Sequence, residues 1–172
     1  LVLGLGLGYY PFMISAKDEV TSIVIVEKDA KIIEIFNEYL LPQFPHAHKI
    51  TTIQADAYDY MRAHHHQFDY AFFDIYRNGH DDIELYVKAK RQQGLYPNLN
   101  ITYWLENSMI SYLRRIIIAY IEERYYHYVV EEESEIDDLI AHLASHRDDL
   151  VITSYQDIQA LLTKDNIIKM IC

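Results

Sequence analysis

The amino-acid sequence predicts an α/β fold: a Rossmann-like, doubly wound, mainly parallel sheet of at least five strands with a helical C-terminal extension. Two patterns predict it. Short apolar runs alternate with longer helical ones, as βα units on a parallel sheet require. Three of the chain's five glycines, Gly4, Gly6 and Gly8, follow directly on the first apolar run, where a strand gives way to a helix.

Five runs read as strands: residues 1–5, 22–26, 49–54, 70–73 and 100–105. Most are β-branched or aromatic and nearly continuous in apolarity, as expected when both faces of a sheet are covered. After the second strand, Asp29 caps a helical segment with Ile32, Ile33, Phe36 and Leu40 on one face and Pro42 as its stop. Met109, Tyr112, Leu113, Ile116, Ile117, Tyr120 and Ile121 recur at three- and four-residue spacing and predict a long amphipathic helix. Ser134 with Asp137 reads as a capping box that opens a helix on Ile136, Leu139, Ile140 and Leu143. From Ser154 the tail carries Ile158, Leu161 and Leu162, then Ile167, Ile168 and Ile171. The expected organisation is one α/β domain over residues 1–130 and a helical extension over 131–172 packed on it. The opening residues already read as the middle of a fold, so a preceding N-terminal part is expected.

Lys and Arg number 15 against 26 Asp and Glu, a net charge of −11. That balance repels a phosphate backbone, and only Lys88, Lys90 and Arg91 cluster, so a small molecule is the expected partner rather than nucleic acid. No run reaches the ~20 apolar residues that span a bilayer. The uncharged stretch 1–16 lacks the basic flank of a signal peptide. The single cysteine, Cys172, allows no intrachain disulfide. These features point to a cytoplasmic protein without a membrane partner; a homodimer stays open.

A glycine cluster after a strand suits a turn where main chain approaches a ligand; the plainer alternative is a tight turn with no ligand. A dinucleotide fingerprint would need glycine at position 9, where Tyr9 stands, and the Tyr9–Tyr10 pair disfavours a pyrophosphate over the turn. A ligand without phosphate fits better there. Three strands then end in acids. Glu27 is placed to accept hydrogen bonds from both hydroxyls of a ribose, Asp56 to accept from an exocyclic amine, and Asp74 closes the fourth strand. The plainer reading of Glu27 is a solvated acid at a helix start. Ligands of open α/β sheets sit outside the carboxyl ends of strands, which is where all three acids fall.

Val2-Leu3-Gly4-Leu5-Gly6-Leu7-Gly8, Val26-Glu27-Lys28-Asp29, Ala55-Asp56-Ala57 and Phe68-Asp69-Tyr70-Ala71-Phe72-Phe73-Asp74 together resemble the ordered motifs of class I S-adenosylmethionine-dependent methyltransferases, and within them the spermidine-synthase-like branch. The resemblance covers about residues 1–125. It implies S-adenosylmethionine as cofactor, with Gly4, Gly6 and Gly8 along its methionine part, Glu27 and Lys28 at the ribose, and Asp56 with Ala57 at the adenine. It places Asp74 at the reacting centre as catalytic residue. Polyamine synthases carry a second acid and a proline soon after that position. Here the run is Asp74-Ile75-Tyr76-Arg77-Asn78, and Arg77 would repel a polyamine and suit an anionic or carbonyl-bearing acceptor. Tyr76 and Arg77 are therefore the expected substrate contacts. The antiparallel strand pair that usually closes this sheet has one weak candidate, residues 126–130.

Other residues carry less. Consecutive His64, His65 and His66 cannot all face one metal from a helix, and no metal site is expected. His46 and His48 read as surface residues, while His80, near the Asp74 end, is a candidate general base. Tyr103, Trp104 and Tyr76 suit stacking on a planar ligand or on adenine, though an aromatic at a strand end is more often core. The leading expectation is a methyltransferase-like enzyme with an unidentified acceptor. Its rivals are an aminopropyltransferase using the decarboxylated cofactor and a non-catalytic interaction module on a degenerate methyltransferase fold.

Overall fold

The protein, described over residues 1–78, 82–126 and 152–172 in a computed structural model, is built around its shortest strand. That strand, β1 (Val2–Leu3), lies between β2 (Ile23–Glu27) and β4 (Tyr70–Phe73), with β3 (Ile50–Gln54) and β5 (Asn100–Tyr103) outside them. The order is β3-β2-β1-β4-β5 and every pairing is parallel. The chain thus winds outward from β1 through β2 to β3, then returns to the other side of β1 for β4 and β5. Such a reversal opens a crevice at the carboxyl edge between the two central strands.

Two adjacent phenylalanines show how both faces are covered. Successive strand residues point to opposite faces. Phe72 stacks on Tyr10 of α1 (Tyr9–Ser15) with ring centroids 3.7 Å apart, while Phe73 meets Tyr58 of α3 (Ala57–His64) at 5.9 Å. Helices α1 and α3 therefore lie on opposite faces, as a doubly wound sheet requires. On the α1 face, Val2, Leu5, Ile23, Ile25, Phe36 and Ile50 join Phe72 in one buried cluster. Each such fully buried side chain contributes roughly 1.5–3 kcal/mol.

The elements depart from the predicted boundaries for local reasons. β1 stops after Leu3, because Gly4 turns away at φ +94°. β5 stops at Tyr103, because Leu105 adopts a left-handed φ of 55°, a costly conformation for a branched side chain. After the Asp29 cap, which accepts from the Lys31 amide at 2.8 Å, α2 (Ala30–Ile35) gives way to a π turn over Phe36–Leu40. The expected apolar face is narrower than predicted: Phe36 is buried and Ile33 and Leu40 are half-buried, whereas Ile32 is 39% exposed.

The chain divides into two compact units, residues 1–77 with 92–104, which hold the sheet and α1–α3, and residues 78–91 with 105–172. The second unit contains most of α4 (Ile83–Gln93), α5 (Glu106–Tyr126), α6 (Tyr155–Leu161) and α7 (Lys164–Ile171). The α5 stripe is buried at Met109, Tyr112, Leu113, Ile116, Ile117 and Ile121, and Ile167, Met170 and Ile171 of α7 are buried as well. Glu106 binds Lys90 at 2.8 Å and Lys164 at 2.6 Å, tying the starts of α5 and α7 to α4. Ser154 caps α6 in a capping box with Asp157. The capping box expected at Ser134, its helix through Leu143, the strand expected at 126–130 and His80 fall wholly or mostly outside the described residues. Among the described residues no helix is long and apolar enough to cross a membrane, and no group of three metal-ligating side chains converges.

The tightest constraint lies at Gly4. A Cβ there would come 2.1 Å from the Asp74 carbonyl oxygen, whereas one on Gly94 would meet nothing within 4 Å. Gly4→Ala is expected to cost about 3 kcal/mol or more, from overpacking and backbone strain together. Gly94→Ala should stay within about 0.5 kcal/mol of the parent. Urea denaturation of the two variants checks the pair; equal midpoints would contradict the packing argument.

Candidate functional site

The parallel register brings the ends of the strands to one edge. Leu3 pairs with Val26 and with Phe73, Glu27 with Gln54, and Phe73 with Tyr103. Gly4, Glu27, Asp56, Asp74 and Trp104, which end these strands or follow them, accordingly share the carboxyl edge.

The glycine turn is pinned from both sides. The Gly4 amide donates to the Val26 carbonyl at 2.8 Å and the Asp74 amide to the Leu3 carbonyl at 2.7 Å. Glu27 holds the turn with its side chain: Oε2 accepts from the Leu5 amide at 3.0 Å, and Oε1 from the amides of Lys28 at 2.7 Å and Asp29 at 2.9 Å. A carboxylate offers about four acceptor positions, so three are taken and one remains on Oε2. Gly8 opens α1 against Phe36; a Cβ on it would lie 2.6 Å from the ring. Gly4 and Gly8 thus have packing reasons of their own. Gly6 differs, because the nearest atom to a Cβ there would be Asp74 Oδ2 at 3.6 Å.

Asp56 is the N-cap of α3. Its Oδ1 accepts from the amides of Tyr58 at 2.9 Å and Asp59 at 3.2 Å. Oδ2 receives no hydrogen bond among the described residues. Ala57, the first residue of α3, is buried, and Lys28 is exposed.

Beside Gly6 a pocket of about 480 Å³ opens at the crevice between β1 and β4. Asp74 and Arg77 supply its charged groups, and Tyr76 and Trp104 line it with them. The remaining wall comes from the glycine turn, from Tyr9 and Tyr10 of α1, and from Phe72. Pockets that hold small ligands span roughly 300–1,000 Å³. Glu27 and Asp56 lie outside this lining, on the β2 and β3 side of the same edge. Tyr10 is held in place by its phenol, which donates to the Tyr70 hydroxyl at 3.2 Å; Tyr70 in turn pairs with the Thr102 hydroxyl.

Asp74 is chemically distinct from the other two acids. No described donor reaches its carboxylate, and burial pushes its pKa from 3.8 up to about 6. A half-buried carboxylate without a compensating partner, in a crevice of this kind, is a candidate functional position. It can take a proton from a bound nucleophile near neutral pH.

The structure therefore brings Gly6, Asp74, Tyr76 and Arg77 to one pocket, and sets Glu27, Lys28, Asp56 and Ala57 along the same rim outside it. Tyr103 packs on Phe73 with ring centroids 5.3 Å apart, as a core residue, whereas Trp104 lines the pocket. The sequence reading missed Tyr10 and Phe72 as pocket walls. Their signal was position: the first turn of the helix after the glycines and the last residues of β4 flank the reversal point of the sheet. His64–His66 precede β4, at the opposite, amino edge, and the His65 ring rests on Tyr96 at 4.7 Å. Comparison with protein-family models, curated proteins and solved structures found no match to the chain.

Two variants test these roles without any ligand. Glu27→Ala removes the acceptor of three backbone amides and should cost about 1.5–3 kcal/mol in urea denaturation; an unchanged midpoint would contradict its anchoring role. For Asp74 the folded protein holds a proton between about pH 4 and pH 6 that the unfolded chain has released. Stability is therefore fully present below that window and falls as pH rises through it. Asp74→Asn should be more stable than the parent at pH 8, by at most about 1 kcal/mol after solvent screening, with the gain vanishing toward pH 4. A gain independent of pH would contradict the burial argument.

Proposed function

We propose that the chain is a methyltransferase-like enzyme that uses S-adenosylmethionine on a small-molecule acceptor. The observation that carries this reading is the placement of Asp74: a desolvated carboxylate beside the bare α-carbon of Gly6, at the sheet's reversal point, with Glu27 and Asp56 ending the next strands on the same edge. The motif resemblance supports the same cofactor. S-adenosylmethionine, when bound, supplies a methyl group made electrophilic by its sulfonium.

The residues present suit that group. Leu5 and Gly6 offer main chain without an obstructing side chain to the methionine arm. Glu27 has one acceptor position left for a ribose hydroxyl, and a second would require it to give up one of its backbone partners. Asp56 keeps Oδ2 for the adenine amine while Oδ1 caps α3. Asp74 Oδ2 then receives the proton that an acceptor hydroxyl or amine gives up, and the apolar wall keeps competing water away from it. Arg77 in the same pocket favours this reading over aminopropyl transfer, whose cationic amine it would repel. With one cysteine in the chain, the setting proposed is the cytoplasm.

Thermal unfolding against S-adenosylhomocysteine, decarboxylated S-adenosylmethionine and NAD tests the proposal. At a hundred times its dissociation constant the first should add about 2.7 kcal/mol, a rise of several degrees in Tm. A larger rise with the decarboxylated cofactor would assign aminopropyl transfer. A rise with NAD alone, or with none of the three, would overturn the proposal.

A further inference from the structure

The pocket at the β1–β4 crevice has a wall chemistry that narrows the acceptor. The rings of Tyr10 and Phe72 are stacked on each other, tilted by only 16°, and both belong to the lining, so that one side of the pocket is aromatic. Trp104, 41% exposed, and Leu7, 89% exposed, add apolar surface to the same lining. Against these, among the described residues Arg77 is the one cation of the lining and Asp74 the one anion.

We infer that the acceptor is a flat aromatic carboxylate that also bears a nucleophilic hydroxyl or amine, its ring against the Tyr10–Phe72 wall and its carboxylate on Arg77. This inference rests on the methyl-transfer reading, because it assigns Asp74 to the acceptor's O–H or N–H. The physical reasons are separate for each part. A rigid ring packs against an aromatic wall with less ordering cost than a flexible chain. A guanidinium forks onto a carboxylate through two parallel hydrogen bonds, a geometry that neither a neutral alcohol nor an ammonium group can satisfy. The carboxylate and the nucleophile must occupy different ends of the molecule, since Arg77 attracts one and Asp74 accepts a proton from the other.

The chain has a single tryptophan, and it lines this pocket. The indole Nε1–H NMR signal of Trp104 is therefore an unambiguous reporter of occupancy. The probes are 4-hydroxybenzoate, its neutral isostere 4-hydroxybenzyl alcohol, the cationic 4-hydroxybenzylamine and phenyl phosphate, each titrated with S-adenosylhomocysteine absent and present. The expected result is a saturable shift with 4-hydroxybenzoate at a Kd at least tenfold below that of the alcohol and the amine. Arg77→Gln, with its folding checked by urea denaturation alongside, should reduce that preference to less than twofold. Equal or tighter binding of the alcohol or amine, tighter binding of phenyl phosphate, a preference that survives in Arg77→Gln, or no saturable shift would each overturn the inference. Backbone shifts caused by S-adenosylhomocysteine separate the two levels. Cofactor binding without acid preference overturns only the acceptor class. Acid preference without cofactor binding overturns methyl transfer, and with it the acid's role as acceptor.

Discussion

The approach of Gly4 to the main chain at Asp74 is the contact on which the rest of the structure depends. β1 is only two residues long, yet it is the central strand and must hold β2 on one side and β4 on the other. Its carboxyl end can come against β4 because position 4 has no side chain. The Leu5 amide is then left facing β2, where Glu27 accepts it. The floor of the crevice is fixed by these two contacts before any ligand arrives, so a molecule bound there need not order the turn itself.

Glu27, Asp56, Asp74 and Glu106 separate into two kinds by what surrounds them. For Glu106, burial works against ionisation, but the hydrogen bonds from Lys164 and Lys90 outweigh it and hold the pKa below the usual value. Glu27 and Asp56 are occupied by backbone amides. Such groups hold structure. Asp74 has burial without a compensating donor, and its pKa moves the other way. A fold that gives Glu27, Asp56 and Glu106 hydrogen-bond partners and leaves Asp74 desolvated places a local energetic cost at the reversal point of the sheet.

Much of the fold was legible because parallel strands buried on both faces must be apolar throughout. Tyr70–Phe73 matches the observed β4 at both ends. The ends of β1 and β5 were not, because they are set by single backbone conformations at Gly4 and Leu105 that apolarity does not encode. The face of α2 is narrower than periodicity suggests, because the sheet covers Phe36 and leaves Ile32 in solvent, which no local spacing encodes. Ser154-Tyr155-Gln156-Asp157 carries the same capping pattern as Ser134 and Asp137, and in the structure it forms the capping box of α6. At the site, the acids were legible from their positions at strand ends. That Glu27 spends most of its acceptor capacity on the turn, and that Tyr10 and Phe72 build the wall, are long-range facts that no local pattern states.

The proposed cofactor requires the glycine turn and the end of β4 to form together a ledge for a nucleoside-bearing ligand. Amide hydrogen exchange with and without S-adenosylhomocysteine tests it most directly, because it reads the main chain of the turn itself. The account predicts slower exchange confined to residues 4–8, 27–29 and 74–77. Unchanged exchange in residues 4–8, or protection that appears only at the opposite, amino edge of the sheet, would contradict it.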